Sequence, residues 1–191
     1  MIELVAFLGN PGKEYSRNRH NAGFLLAEKL NINSPLKWQK KFKGFYAAFN
    51  EKAHFIMPLT FMNLSGQSVS QAASFFKIKA DAILVVHDEL ELPLGVISLK
   101  FSGGLGGHNG LRSMKASLGS ADFWRIRIGI GRPVPDSREV IDWVLSDFDA
   151  GEKEILDKVL DTAAELLVNV LAGNPEEFLP EWAKKKVTLD G

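Results

Sequence analysis

The chain has no cysteine among its 191 residues, and this absence excludes several kinds of chemistry. Disulfides, thiolate metal sites and cysteine nucleophiles are all ruled out, which fits a reducing compartment. The sequence also lacks any run of 18 apolar residues, so we expect no membrane-spanning segment. Its first residues show a strand pattern rather than a signal peptide. We therefore expect a cytoplasmic protein that makes no membrane contact.

The chain also has no net charge, because its 23 basic residues balance its 23 acidic ones. The charges are unevenly distributed: basic residues dominate from 13 to 43, and acidic residues dominate from 136 to 177. A neutral protein can still bind a polyanion through a local basic patch. The alternative is that these charges lie on ordinary solvated faces.

Several well-known motifs are missing too. The turn at 9–12, Gly-Asn-Pro-Gly, lacks dinucleotide-binding spacing, and the glycine cluster at 103–111 has Asn109 where a third glycine is needed. No Walker lysine, nucleophile elbow or zinc-protease motif occurs. Residues 87–89, His-Asp-Glu, offer metal ligands, but neighbours on a strand point to opposite faces. We therefore expect no bound metal.

Short apolar or alternating runs predict strands at 2–8, 45–50, 54–59, 82–88, 96–101 and 124–130. The second and third should form a hairpin around residues 50–52, and 96–101 should be half buried. Helical periodicity predicts helices at 22–30, 68–76, 107–118 and 150–172, then a short helix after Pro175. Asp149 and Glu152 resemble a capping box. Strands interleaved with helices predict an α/β fold with a mixed, mostly parallel sheet, and the length fits one domain over residues 1–191.

Polar residues cluster just after the predicted strands, where open α/β sheets bind ligands. They are Asn10, His20, Asn21, Asn63, Asp88, His108 and Asn109, with apolar Met62 next to Asn63. A neutral histidine can take a proton from water, and a carboxylate can fix its tautomer. Asparagine amides suit a peptide backbone or an oxyanion. No serine has a recognisable nucleophile context, so a water nucleophile is the simplest interpretation.

Each of these residues also has a plain structural interpretation. Asn10 and Asn63 can cap helices or turns, and Asp88 can end a strand. His20 alone can be packed or exposed, and the glycine cluster can be a tight strand-to-helix turn. We assign His87 a structural role. Only the joint placement of the polar residues favours a catalytic site.

Five stretches resemble, in order and spacing, the bacterial peptidyl-tRNA hydrolase family: GNPGKEYSRNRHNAGF, PLTFMNLSG, HDELELPLG, GGLGGHNGLRS and RIRIGIGRP. The resemblance covers nearly the whole chain. It implies a single-domain fold with a mixed twisted sheet flanked by helices. It also implies hydrolysis of the ester that joins a peptide to the 3′ ribose of tRNA, which recycles tRNA, with no metal or organic cofactor.

The resemblance assigns roles residue by residue. His20 is the implied general base, Asp88 its partner, and Asn10 a catalytic residue that places water and substrate. The implied substrate contacts are Asn63 and Asn109 for the peptide backbone, Met62 as an apolar wall, Tyr15 near the tRNA 3′ end, and His108 and Arg132 on the substrate-channel or tRNA side. The chain departs from the family pattern at Asn18, where threonine is expected, and at Glu91, where aspartate is expected.

The tRNA partner should be held through its phosphates. The candidate donors are Lys100, Arg112, Lys115 and Arg132, with Arg17 and Arg19. Three rival functions stay open: a non-catalytic RNA-binding module, a nucleotide-dependent oxidoreductase and an esterase of small molecules. We expect a monomer, because no long apolar patch is evident in the sequence.

Overall fold

Eight strands form one mixed sheet in the computed structural model, which describes residues 1–33, 35–51, 53–133 and 139–188. Across the sheet their order is β2-β3-β4-β1-β5-β7-β6-β8. The strands are β1 Leu4–Phe7, β2 Gln39–Lys41, β3 Gly44–Ala48, β4 His54–Pro58, β5 Ile83–Glu89, β6 Val96–Phe101, β7 Trp124–Gly129 and β8 Lys185–Lys186.

The parallel pairs lie in the centre of the sheet, where β1 pairs with β4 and β5, and β5 pairs with β7. The outer pairs, β2 with β3, β3 with β4, and β6 with β7 and β8, are antiparallel. The predicted α/β fold with a mixed sheet is therefore confirmed, with the parallel pairing confined to the centre of the sheet. Because β1, β4, β5 and β7 run in one direction, their carboxyl ends meet at the same edge of the sheet.

Helices cover both faces of the sheet. They are α1 Ala22–Asn33, α2 Ser65–Phe76, α3 Asn109–Leu118, α4 Val140–Val144, α5 Ala150–Ala172 and α6 Pro175–Trp182. Alternate side chains of β5 enter two separate cores. Leu84 and Val86 join the core that includes α1 and α5, whereas Ile83 and Val85 join the core that includes α2 and α3. Burial on both faces explains why the sequence of β5 contains a continuous run of apolar residues.

The predicted long helix is confirmed as α5, which begins with the predicted capping box. The Asp149 side chain accepts from the Glu152 N–H, and the Glu152 side chain accepts from the Asp149 N–H, both at 2.8 Å. The helix buries nine residues: Leu156, Val159, Leu160, Ala163, Ala164, Leu166, Leu167, Val170 and Leu171. It therefore belongs to the core. Among the described residues, no helix combines the length and apolarity needed to cross a membrane.

The expectation that 96–101 is half buried is wrong, because the first four residues of β6 are buried. One face of the strand joins the core beneath α5, and the chain after α6 packs along its outer edge. There the Ser98 hydroxyl donates to the Ala183 carbonyl at 2.6 Å, and β8 pairs with the start of β6. The alternating sequence pattern could not reveal this covering segment, which lies 85 residues away.

Three short elements, β2, α4 and β8, were not predicted from the sequence. β2 is a fully exposed edge strand of one glutamine and two lysines, and β8 consists of two lysines. Such residues give no apolar periodicity, and charged edge strands are a common protection against unwanted strand pairing. The predicted hairpin is present as β3 and β4, although Lys52 in its turn lies outside the described residues.

Candidate active site

The predicted site residues converge at the edge where the parallel strands end. Asn10 follows β1, and a short 3₁₀ helix, Met62–Leu64, follows β4. Asp88 lies near the end of β5, and His108 precedes α3. A second 3₁₀ helix, Arg19–Asn21, leads into α1 and brings His20 to the same place. The sheet topology thus gathers five segments that are distant in sequence.

The Asp88 carboxylate is the centre of this arrangement. The Nδ1 atom of His20 lies 2.9 Å from one oxygen of Asp88 and 3.0 Å from the other. The Nε2 atom of His108 lies 3.0 Å from the first of these oxygens. Asp88 is only 2% exposed. One buried acid therefore orients two imidazole rings.

The hydrogen-bond partners determine the tautomer of each ring. His108 caps α3, because its Nδ1 accepts from the N–H groups of Gly110 and Leu111 at 3.1 and 3.3 Å. Its proton is thus on Nε2, which donates to Asp88. His20 donates to Asp88 from Nδ1, because an ionised carboxylate only accepts. The Nε2 atom of a neutral His20 therefore carries a lone pair that can take a proton.

The pKa values follow from this buried cluster. Burial alone raises the pKa of Asp88, but the attraction of His20 and His108, with their hydrogen bonds, holds it well below its usual range. Burial lowers the pKa of His20, yet the charge and hydrogen bond of Asp88 outweigh this and raise it above 6.5. Asp88 is therefore ionised at neutral pH.

His87, the neighbour of Asp88, lies on the other side of the strand. Its Nδ1 donates to the Asp88 carbonyl at 2.6 Å, and its ring packs edge-on against His108 with centroids 5.0 Å apart. Burial, with the nearby His108 and Arg125, lowers the pKa of His87 well below 6.5. A neutral, packed ring fits the structural role that the sequence assigned to it.

Asn10 is held by Asn21, which explains the polar pair after His20. The Asn10 N–H donates to the Asn21 side-chain oxygen at 2.8 Å, and the Asn21 amide donates back to the Asn10 carbonyl at 2.9 Å. The Asn10 side-chain oxygen accepts from the Met62 N–H at 2.7 Å. With its oxygen occupied, Asn10 has its Nδ2 protons left as donors for a ligand.

A cleft with two branches surrounds His20. The first has a volume of about 210 Å³ and includes Asp88, Leu90, Leu105, His108 and Arg132 in its lining. The second has about 240 Å³ and includes Asn10, Phe61, Met62, Asn63 and Leu145. Both branches are lined by His20, Asn109, Ile141 and Val144. His20 therefore lies where the two branches meet.

The wall formed by α4 is the part of the cleft that the sequence did not predict. Ile141 of this wall is 66% exposed, Val140 is 39% exposed, and Val144 is buried. Such exposure of apolar side chains beside a polar centre is typical of a ligand-binding surface. The only sequence signal is the pattern Val-Ile-Asp-Trp-Val, which is too short for a helical period.

The predicted tRNA contacts occupy different environments. Tyr15 packs edge-on against Phe61, with centroids 6.4 Å apart, and so borders the second branch. Arg132 lines the first branch and forms an exposed ion pair with Glu91. Arg112, Lys115 and Arg17 are exposed, and Lys100 is partly exposed.

The expectation that Arg19 contacts phosphate is wrong, because this residue is only 4% exposed and pairs with Glu152 at 2.8 Å. The sequence pattern could not show this, because Glu152 lies 133 positions away.

His20, Asp88 and His108 are also the group, within the described chain, that could hold a metal ion, since their ligand atoms lie within 4.8 Å of one another. Both rings direct their protons at the same carboxylate, which satisfies all three groups without a cation. A metal would have to replace both protons. That the protein uses no metal stays a prediction.

Comparison with known proteins gives consistent matches. A family model described as peptidyl-tRNA hydrolase matches residues 4–189. A peptidyl-tRNA hydrolase from Treponema pallidum (strain Nichols) is 45% identical over 195 residues, which cover 97% of this chain and 96% of the relative. The crystal structure of peptidyl-tRNA hydrolase from Acinetobacter baumannii superposes with a TM-score of 0.88 at 37% identity, covering 97% of this chain and 96% of that chain. A complex of peptidyl-tRNA hydrolase with N-propanol gives a TM-score of 0.89 at 36% identity, covering 98% and 97%.

Proposed function

Because the chain belongs to the peptidyl-tRNA hydrolase family, we propose that it hydrolyses the ester that joins a peptide to the 3′ ribose of tRNA. The products are free tRNA and the peptide, so the reaction recycles tRNA for translation. Family membership favours an enzyme over a non-catalytic RNA-binding module or an oxidoreductase. The observation that carries the proposal is the bond between His20 and Asp88, which leaves the second ring nitrogen of His20 able to accept a proton.

In the proposed mechanism His20 is the general base. Its Nε2 takes a proton from a water molecule in the cleft as the water oxygen attacks the ester carbonyl carbon. Asp88 keeps the ring in the required tautomer and stabilises the imidazolium that forms. When the tetrahedral intermediate collapses, the ester C–O bond breaks, and the imidazolium returns the proton to the leaving ribose oxygen. The steps use no metal ion or organic cofactor.

The amide groups around His20 are the proposed contacts for the charged intermediate and for the peptide. Asn10 offers its Nδ2 protons to the developing oxyanion. Asn63 and Asn109, both exposed in the cleft, bind the peptide main chain, and Met62 forms an apolar wall beside them. Contacts to main chain rather than side chains would let the enzyme accept many peptides. A need for a peptide bond would also protect aminoacyl-tRNA, whose free amine lacks that bond.

The tRNA is the proposed macromolecular partner, with its 3′ end beside Tyr15 and its phosphates near Lys100, Arg112 and Arg132. The exposed positions of Arg112 and Arg132 support this placement. His108 borders the first branch, where it joins Asp88 to the start of α3. We propose that the enzyme acts as a monomer and in the cytoplasm.

The decisive experiment compares wild type with His20→Ala on N-acetylated aminoacyl-tRNA, with release of free tRNA as the measurement. Positioned acid–base catalysis contributes about 10²–10⁴ in rate, so kcat should fall by that factor. His54→Ala is the matched control, because His54 begins β4 at the opposite edge of the sheet. It should keep activity close to wild type.

Three results would contradict the proposal in different ways. A loss of less than tenfold in His20→Ala would remove His20 from the central role. Binding of the substrate by wild type without hydrolysis would favour the RNA-binding module. Hydrolysis of small esters that free tRNA does not inhibit would favour the small-molecule esterase.

A further inference from the structure

Arg19 directly precedes His20 in the chain and is buried, although it is an arginine. Its Nη2 donates to the Glu152 carboxylate at 2.8 Å. Within the described part of the chain, its Nε and Nη1 atoms have no hydrogen-bond partner. A buried guanidinium with one ion pair and two unpaired nitrogens needs another source of stabilisation.

Two aromatic rings supply that stabilisation. The Arg19 Cζ atom lies 3.8 Å from the ring centroid of Trp143 and 4.8 Å from that of Phe148. Arginine stacks well on aromatic faces because its charge is delocalised over a plane. Trp143 belongs to α4, and Phe148 lies just before α5. Arg19 therefore connects the segment from Trp143 to Phe148 with the 3₁₀ helix that carries His20.

Backbone contacts extend this connection. The Arg19 N–H donates to the Ser146 carbonyl at 3.0 Å, and the Asn18 side chain donates to the Leu145 carbonyl. Asn18 also forms an isolated antiparallel bridge with Asp147. The segment that presents His20 is thus bonded directly to the segment that follows α4.

The ion pair links the same segment to the start of α5. The Glu152 oxygen that accepts from Arg19 also accepts from the Asp149 N–H at 2.8 Å, as part of the capping box. A single Glu152 oxygen therefore accepts hydrogen bonds both from the start of α5 and from Arg19. Because α5 is packed in the core, it gives Arg19 a rigid anchor.

We propose that Arg19 is a positioning residue that sets the distance between the α4 wall and His20, and so sets the width of the cleft. The inference rests on the proposed function, since its readout is hydrolysis of peptidyl-tRNA. The α4 wall lines both branches of the cleft through Ile141 and Val144. If the wall moves, the substrate loses its apolar contacts, whereas the bond between His20 and Asp88 stays in place. Substrate binding should therefore weaken more than the chemical step.

The test measures KM and kcat of Arg19→Met on N-acetylated aminoacyl-tRNA. Methionine keeps apolar volume but removes the charge and the planar face. KM should rise about threefold or more, because the loss of one stacked cation weakens the anchoring of α4 by an energy of this order. The value of kcat should stay within about twofold of wild type. Amide hydrogen exchange should become faster in residues 139–148 and stay unchanged in β1 and β5.

Two further variants complete the design. Glu152→Gln should also raise KM and speed amide hydrogen exchange at 139–148, because the ion pair with Arg19 is lost. Glutamine can still accept from the Asp149 N–H, so the helix cap is kept. If Arg19→Met does not fold, the KM and hydrogen exchange of Glu152→Gln test the inference in its place. Lys29→Met is the matched control: it removes ion pairs from Lys29 to Asp157 and Asp161 of α5 at 2.7 and 3.0 Å, far along the helix from α4. It should leave KM and exchange at 139–148 unchanged.

The outcomes separate the inference from the proposed function. A KM change below threefold in both Arg19→Met and Glu152→Gln would overturn the inference. So would a raised KM with unaltered exchange at 139–148, which would mean that Arg19 acts without moving α4. An inactive wild type would instead contradict the proposed function.

Discussion

At the scale of single residues, the two histidines that are hydrogen-bonded to Asp88 have different roles. His108 uses both ring nitrogens within the protein, one to cap α3 and one to bind Asp88. His20 uses one nitrogen for Asp88 and lines both branches of the cleft. This difference singles out His20 as the ring able to exchange a proton with a bound water, although both rings contact the same acid.

Asp88→Asn should lower kcat by about 10²-fold or more, because the amide no longer stabilises the imidazolium of His20. The variant should also shift the pH profile. Only neutral His20 accepts a proton, so the rate rises with pH through its pKa. Asp88 raises the pKa of His20 and burial lowers it, so removing the carboxylate should move the acidic limb to lower pH.

The measurement is kcat/KM against pH for wild type and Asp88→Asn. Asp81→Asn is the matched control, because Asp81 is exposed in the turn before β5, at the other end of that strand. An acidic limb at the same pH in wild type and Asp88→Asn would mean that Asp88 does not set the pKa of His20.

At the scale of elements, the start of α3 is fitted closely against the end of β1 and the 3₁₀ helix after β4. A Cβ atom on Gly110 would lie 2.6 Å from Met62 Sδ, 2.9 Å from Leu8 Cδ1 and 3.0 Å from His108 Cε1. The glycine therefore allows α3 to approach the end of β1 and the ring of His108. The preceding glycine turn is held by buried Arg125, whose Nη1 donates to the Gly104 carbonyl at 2.8 Å.

Gly110→Ala should destabilise the protein by about 1–3 kcal/mol, because the added methyl group overpacks a filled space. It should also lower kcat, since the ring of His108 has to move. Gly104→Ala is the control in the glycine turn before α3: a Cβ there meets no atom within 4 Å, so its effect should stay within about 0.5 kcal/mol. Urea unfolding and the hydrolysis assay measure both effects. Equal stabilities for the two variants would contradict the proposed close fit.

At the scale of the whole molecule, zero net charge does not prevent binding of a polyanion. The proposed donors flank the glycine turn from two sides: Arg112 lies in the first turn of α3, at the edge that carries the cleft. Lys100 lies near the end of antiparallel β6, where it pairs with Arg125, three positions before Ile128, which pairs with Asp88. Cations placed beside a cleft can bind phosphates locally while acidic residues elsewhere balance the total charge.

Lys100→Glu combined with Arg112→Glu should raise KM for N-acetylated aminoacyl-tRNA by tenfold or more, on the order of the loss of two phosphate contacts with added repulsion. The rise of KM with salt should also become shallower, because fewer counterions are released. Lys79→Glu is the control, since Lys79 is an exposed lysine in the turn before β5 and is not among the proposed phosphate donors. An unchanged KM and salt dependence in the double variant would refute this patch.

Much of the fold was predictable because its signals are local. The buried run of β5 and the apolar stripe of α5 with its cap are properties of neighbouring residues, and both are confirmed by the structure. Short polar elements such as β2 and β8 were not predictable, because pairing with distant strands rather than their own side chains defines them.

The sequence by itself determined the residue types of the site and their order along the chain, and the motifs identified the family. Only the tertiary structure decided that His20 and His108 share one carboxylate, that Asn21 holds Asn10, and that α4 forms a wall of the cleft. It also decided that Arg19 is buried against Trp143 and Glu152. The physical reason is distance along the chain: propensity and periodicity act over a few residues, whereas these contacts join segments from 11 to 133 positions apart, which only the packing of the sheet and helices brings together.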